Sequence, residues 1–248
     1  MSSLITVRGL RYAYPDGTPA LNGIDFDLSA GETVAVLGAN GSGKTTFLLH
    51  LVGLMRGQGN IQVCGEELRK ENLPFIRQKI GVLFQDSDDQ LFMPTVEEDV
   101  AFGPVNAGLG TEEVRRRVTH SLELVGMTGT AARAPYHLSA GEKRRVALAG
   151  VLAMNPEIIL LDEPATFLDP PSRWALISIL RDIAQAKVIV THDLALARSL
   201  ATRAVFFENG QAVAEGSLEE IIERFDWERA GGKRKDVAGG EPATRHRA

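Results

Sequence analysis

Cysteine is almost absent. Cys64 stands alone among 248 residues, which excludes an internal disulfide framework and fits a reducing compartment. The thiol itself reads as a small, partly buried hydrophobe. A chain of this length buries a sizeable core without covalent staples. Long apolar runs are missing too. No stretch reaches the ~20 residues a membrane-spanning helix needs, and the opening MSSLITVRGL lacks the basic and apolar regions of a secretory leader, so a cytoplasmic location is expected. The formal net charge is −5, and no basic patch precedes the C-terminal tail. That balance argues against a nucleic-acid partner and against general attraction to anionic lipid. No His or Cys cluster has the spacing that selects a transition metal.

What is present alternates between strand and helix signals. Ile5 and Val7, then Ile24, Phe26 and Leu28, alternate on either side of the turn Pro15-Asp16-Gly17, which predicts a β-rich entry layer. Thr33 to Leu37 reads as a buried parallel strand, followed by a Gly-rich loop and an apolar helix with Phe47, Leu48, Leu51 and Val52. From about Thr95 to Met154 the pattern is helical, with Val114, Val118, Leu122 and Val125 on one apolar face. Buried strands resume at Ile158 to Leu161 and Val188 to Val190, separated by a helix that Pro170-Pro171 opens. Asn209-Gly210 predicts a type I′ hairpin, and Ser217 with Glu220 a capping box for a last helix. Beyond about Trp227 the apolar periodicity is lost, so residues 228–248 read as a disordered tail.

Three motifs carry chemistry. Gly38-Ala-Asn-Gly-Ser-Gly43-Lys44-Thr45 matches the phosphate-loop pattern at every fixed position, after a predicted strand and before a predicted helix. Its backbone N–H groups, with Asn40, Gly41, Ser42 and Thr46 in or beside the loop, suit a triphosphate; Lys44 reaches the β- and γ-phosphates and Thr45 would ligate Mg²⁺. Ile158 to Leu161 ends in Asp162-Glu163. That places Asp162 where a Mg²⁺-bound water is held and frees the Glu163 carboxylate to polarise an attacking water. Ser139 and Glu142, in Leu138-Ser139-Ala140-Gly141-Glu142, have the spacing of a capping box before a helix, which read alone is only a well-capped helix.

With that third motif the sequence resembles the ABC-transporter ATPase family, whose signature Leu-Ser-Gly-Gly-Gln it approaches; the resemblance covers roughly residues 3 to 225. It implies an α/β fold: a P-loop NTPase core of the ABC ATPase type, with an N-terminal antiparallel β layer and an inserted helical subdomain. One ATPase domain would span 1–227, its RecA-like core about 1–92 and 156–227 and its helical subdomain about 93–155. It implies ATP and Mg²⁺ as ligands, and a head-to-tail pair with a second copy or a paralogue in which Ser139 and Gly141 meet the partner's γ-phosphate. Residue by residue, Tyr14 resembles the aromatic that stacks on adenine, with Tyr12 as the other candidate. Gln85, at the end of the strand Val82 to Phe84, resembles the glutamine that joins Mg²⁺ coordination with Thr45 and Asp162 and senses the membrane subunit. Asp169 resembles the loop aspartate that crosses the dimer, and His192 the switch histidine on the γ-phosphate. Ala140 replaces a family glycine, and Phe167 is bulkier than the family residue.

The stretch Gln85-Asp86-Ser87-Asp88-Asp89-Gln90-Leu91-Phe92 and Pro94 to Pro104 contains a further capping box, Thr95 with Glu98, and by itself is equally an acidic helix start. It resembles energy-coupling-factor importers, particularly the ATPases of cobalt and nickel uptake. The resemblance implies a transmembrane coupling subunit whose helices carry arginine motifs, a substrate-binding membrane subunit, and a peripheral place on the cytoplasmic face of the membrane. Asp88, Asp89, Glu97 and Glu98 are the acids available for that arginine contact, and the transported ion is not expected to touch this chain. A vitamin importer of the same class is the alternative. A soluble ABC ATPase is a more distant one, since neither a coiled-coil insertion nor a tandem cassette is present.

Overall fold

The computed structural model describes residues 3–226; the tail expected at 228–248 lies outside them. The chain opens with β1 (Ser3–Ala13) and β2 (Pro19–Ser29), and after β3 (Thr33–Leu37) and α1 (Lys44–Leu51) returns through β4 (Gln58–Val63) and the short β5 (Glu66–Glu67). These make an antiparallel sheet of order β2-β1-β4-β5. Its alternating residues Ile5, Val7, Ile24, Phe26 and Leu28 point inward and are fully or almost fully buried, the period-2 pattern of a sheet with one dry face. β4 carries only Ile61 and Val63 as buried apolar side chains, and with Gly59 inside it gives little periodic signal.

After α2 (Leu73–Lys79) and β6 (Ile80–Leu83), three helices follow: α3 (Val96–Asn106), α4 (Thr111–Leu124) and α5 (Ala140–Ala153). The capping boxes at Thr95 with Glu98 and at Ser139 with Glu142 both form. The predicted face of α4, Val114, Val118 and Leu122 with Val125 beyond it, is buried against Val146 and Leu148 of α5 in one cluster. The chain then runs through β7 (Ile158–Asp162), α6 (Pro170–Asp182), β8 (Ala186–Val190), α7 (Leu194–Leu200), β9 (Arg203–Glu208), β10 (Gln211–Ser217) and α8 (Leu218–Arg224). Six strands form the second sheet in the order β10-β9-β3-β8-β7-β6, parallel throughout except for β9 with β10.

Both faces of this sheet are covered, which is why Val34 to Leu37 of β3, Ile158 to Leu161 of β7 and Val188 to Val190 of β8 are unbroken apolar runs. Ile158 and Leu160 of β7 face the antiparallel sheet and α1, whereas Ile159 and Leu161 face the helices. Phe47 of α1 lies between Phe26 and Phe207, with ring centroids 5.2 and 5.3 Å away, and so joins the two sheets. The β9–β10 turn has Asn209 at φ 50° and Gly210 at φ 73°, both left-handed as a type I′ turn requires. Gly210 N–H donates to Ser42 O (3.2 Å), and Gly210 O accepts from Asn22 N–H (2.7 Å), which ties the turn to the loop before α1.

One expectation shifts. The sequence predicts a strand reaching Phe84 with Gln85 at its end, but β6 stops at Leu83. Phe84 N–H turns to the Gln90 side chain at 3.0 Å instead of continuing the ladder.

Lys187, on β8, is 4% exposed. Its Nζ donates to Ile183 O (2.7 Å) and Gln185 O (2.8 Å), and burial pulls its pKa from 10.5 down to about 8. Between those values the unfolded chain holds more protons than the folded one, so this group makes stability rise with pH across the window and costs stability below it. Lys187→Met is expected to be more stable than wild type in urea denaturation at about pH 7, with the gap narrowing as pH rises from about 8 to 10.5.

Candidate functional site

The loop between β3 and α1 is shaped by glycines that no other residue can replace. Gly38 has φ 144°, and a Cβ there would lie 2.2 Å from Phe207 O; Gly43 has φ 103°, and its Cβ would lie 2.6 Å from Ala20 O. Lys44 Nζ donates to Gly38 O (2.7 Å) and Ala39 O (2.9 Å) across the loop. Burial lowers the proton affinity of this ammonium, and the nearby Glu163 and Asp162 charges act in the opposite sense. Ser42 Oγ is buried with no partner among the described residues, an orphaned donor of the kind a bound oxyanion satisfies. Thr45 Oγ1 donates to Asp162 Oδ2 at 2.9 Å.

Asp162 ends β7 and is 5% exposed, and burial raises its pKa, with the Thr45 hydrogen bond as the first opposing effect. Glu163 follows at φ 45°, a left-handed conformation costing ~1–3 kcal/mol that persists only where the surroundings enforce it. Here they do. Glu163 N–H donates to Val190 O at 2.8 Å. The carboxylate accepts from His192 Nδ1–H at 2.9 Å, from Thr191 Oγ1 at 3.2 Å and from His192 N–H at 3.4 Å. Thr191 Oγ1 in turn accepts from Asp193 N–H (3.0 Å), and Asp193 is ion-paired with Arg173 of α6.

A cavity of about 470 Å³ brings most of the candidates together: Tyr14 at one end, the loop residues Asn40, Gly41 and Gly43 to Thr46, then Gln85, Asp162 and Glu163. Gly38 and Ser42 support this loop from behind, both buried. Tyr14 is 36% exposed, with its hydroxyl 2.8 Å from Thr46 Oγ1. Tyr12 does not line the cavity; it packs edge-on against Tyr14 and His50. A cleft of about 760 Å³ opens alongside, shares Thr45, Gln85 and Asp162, and is also lined by Ala140 and Phe167. Ala140 and Phe167, two of the departures from the pattern that the sequence resembles, therefore face one space.

Ser139, Gly141 and Asp169 line neither cavity. Ser139 and Asp169 are exposed at the N-terminal caps of α5 and α6, where each accepts a backbone N–H. The Ser172 hydrogen bonds hold the Asp169 carboxyl below the usual range. Gly141 is buried: a Cβ there would lie 2.2 Å from Ser172 Oγ, so its glycine lets the starts of α5 and α6 abut.

The donors present fit a nucleotide with Mg²⁺. Thr45, Gln85 and Asp162 offer only hard oxygen ligands, the set that suits Mg²⁺ rather than a soft metal, and the loop and the Lys44 ammonium suit phosphate.

The acids expected at a membrane contact are differently disposed. Asp88 is paired with Lys143 at 2.5 Å, and the Glu98 carboxylate closes the Thr95 cap. Asp89 and Glu97 are exposed. Asp99 was not singled out from the sequence. It is 9% exposed; Oδ1 accepts from Phe92 and Met93 N–H, each at 3.0 Å, while Oδ2 has no partner among the described residues. It lines a groove of about 220 Å³ with Arg77, Gln90, Phe102 and Met154, and burial raises its pKa. Arg144 was missed as well. It is 3% exposed, and its guanidinium donates to Phe84 O and Gln85 O, holding the Gln85 loop to α5. A basic residue three places after Gly141 and four before Leu148, on the buried face of α5, was the available signal.

The chain has clear relatives. The ABC transporter family profile matches residues 21–166. The energy-coupling factor transporter ATP-binding protein EcfA of Methanothermobacter thermautotrophicus is 50% identical over 225 residues, covering 88% of this chain and 72% of the relative. Among solved structures, CbiO1 of Clostridium perfringens, described as part of the ABC transporter complex cbiONQ, superposes with a TM-score of 0.82 at 33% identity over 90% of this chain and 92% of its own. A dimeric ATP-binding cassette in a post-hydrolysis state bound to ADP and Pi superposes with a TM-score of 0.77 at 28% identity, over 86% and 98% of the two chains.

Arg144→Met leaves two loop carbonyls without their charged donor. A loss of ~2–4 kcal/mol in urea denaturation is expected, with faster amide exchange across residues 84–90.

Proposed function

The chain belongs to the ABC transporter family, as an ATP-hydrolysing subunit of the energy-coupling-factor class, and from that premise we propose that it powers import of a transition-metal ion, cobalt or nickel. One observation carries the catalytic part: the phosphate loop, Gln85, Asp162 and Glu163 line a single cavity. In this reading Lys44 and the loop N–H groups bind the β- and γ-phosphates of ATP. Thr45, Gln85 and Asp162 hold Mg²⁺, which when bound offsets the charge of the transferring phosphoryl group. Glu163 orients and polarises the attacking water. His192 and Thr191 position that carboxylate, and the Tyr14 ring supports the adenine.

Ser139, Gly141 and Asp169 serve the nucleotide of a second copy or a paralogue paired head to tail. Their position outside the chain's own cavity supports this, as does the dimeric state of the cassette with ADP and Pi. The transmembrane coupling subunit docks beside α3, where Asp89 and Glu97 are exposed, and its arginine meets Asp99, whose Oδ2 lacks a partner among the described residues and lies in the groove. The subunit then sits peripherally on the cytoplasmic face of the membrane, next to a substrate-binding membrane subunit. Among the described residues no helix is long and apolar enough to cross a membrane. The metal cargo rests on the resemblance of the Gln85 to Pro104 stretch to the ATPases of cobalt and nickel uptake.

The test is reconstitution of the complex captured from membranes by this chain, followed by uptake assays. ATP-dependent cobalt or nickel uptake supports the reading; vitamin uptake without metal uptake replaces the cargo. Glu163→Gln is expected to lower turnover by ~10²–10⁴ while ATP binding, measured by calorimetry, persists. Asp99→Asn retains the Oδ1 contacts to Phe92 and Met93, and is expected to weaken capture of the membrane subunit by ~2–5 kcal/mol in a detergent pull-down.

A further inference from the structure

His50 lies on α1 one turn after Thr46, fully buried, and the proposed reaction does not use it. Thr46 O can only accept, so His50 Nδ1 carries the proton and donates to it at 2.7 Å. That leaves Nε2 as a buried acceptor with no partner among the described residues. Gly57 faces it, where a Cβ would lie 3.3 Å from Nε2. An orphaned polar atom in a core is costly, and leucine would fill the space without that cost. What the imidazole provides is a flat ring of fixed attitude.

That ring meets Tyr12 edge-on, with centroids 4.7 Å apart and planes at 67°. Tyr12 meets Tyr14 edge-on in turn, at 5.3 Å and 78°. The Tyr14 hydroxyl is 2.8 Å from Thr46 Oγ1, and Thr46 O receives His50. The four residues form a closed circuit between the end of β1 and α1. Only Tyr14 and Thr46 of the four line the cavity. Edge-to-face pairs fix the angle between rings, which aliphatic packing does not. Tyr14 stands just beyond β1, in a turn closed by Tyr14 N–H to Thr18 O and Gly17 N–H to Tyr14 O, both 2.9 Å.

We propose that Tyr12 and His50 are positioning residues that set the attitude of Tyr14 toward the nucleotide base, so that selectivity for a base-bearing triphosphate over a bare polyphosphate is built into three rings rather than one. The inference rests on the reading of Tyr14 as the base platform.

Calorimetry on the full chain with two probes, ATP and inorganic tripolyphosphate, tests it. Tyr12→Leu is expected to weaken ATP about tenfold, equivalent to ~1.4 kcal/mol and within the range of an aromatic pair, while leaving tripolyphosphate affinity unaltered. The loss should fall on KM rather than kcat. Tyr12→Phe, which keeps the ring, should restore wild-type ATP affinity. His50→Gln, which retains a donor for Thr46 O and removes the ring, should reproduce the ATP-selective loss. In a Tyr14→Ala background neither change should weaken ATP further. Equal losses for both probes, or an undiminished loss in the Tyr14→Ala background, would overturn the inference and leave the ATPase reading intact. A wild-type chain that binds tripolyphosphate as tightly as ATP would overturn the base platform itself.

Discussion

The carboxyl ends of four adjacent parallel strands lie along one edge of the central sheet, and each strand delivers a loop to the same place. β3 leads into the phosphate loop, β8 into Thr191 and His192, β7 into Asp162 and Glu163, and β6 into Gln85. Three hydrogen bonds close this edge: Thr45 to Asp162, Glu163 N–H to Val190 O and Thr191 N–H to Val36 O at 3.4 Å. Ligands of open α/β sheets bind at such an edge because strand register sets the spacing of the loops. Were the order of β3, β8 and β7 different, the same motifs would exist and the site would not.

Electrostatics at that edge is mutual. Lys44, Asp162 and Glu163 are each under 10% exposed, and none of the three would tolerate burial alone. Lys44 gains from the two carboxylates what it loses by desolvation only in part, since burial remains the larger effect on its proton affinity. Glu163 is additionally held by His192 and Thr191, whose loop Asp193 and Arg173 tie to α6. The carboxylate that would orient water is thus fixed by residues from two loops and a helix, the kind of preorganisation that electrostatic catalysis requires.

The helices α3 and α5 hold the loop after β6 through Asp99, Lys143 and Arg144. Arg144 reaches from α5 to the backbone of Phe84 and Gln85, so α5 is hydrogen-bonded to the loop that brings Gln85 to the cavity. On the other side, the Tyr14, Tyr12 and His50 rings pack edge-on in series between the end of β1 and α1. α1 therefore carries both the phosphate-loop residues Lys44 and Thr45 and, in Thr46 and His50, the contacts to those rings.

The phosphate loop, the paired acids after β7, the capped starts of α3, α5 and α8, and the I′ hairpin were all legible in the chain, because each is a local rule: a fixed spacing, a φ that only certain residues adopt, or a strand buried on both faces. The weakly patterned stretch of β4, β5 and α2 was not, since few of its side chains are buried. Nor was the end of β6, which Gln90 and Arg144 decide from 6 and 60 residues away. Asp99 looked like one acid among several, and only the fold shows that its neighbours are paired or exposed while its Oδ2 is buried in a groove. His50 looked like a residue of an apolar helix. Its role depends on Tyr12 and Tyr14, which the antiparallel sheet brings alongside α1, and such a juxtaposition has no trace in local pattern because the partners are more than 30 residues apart.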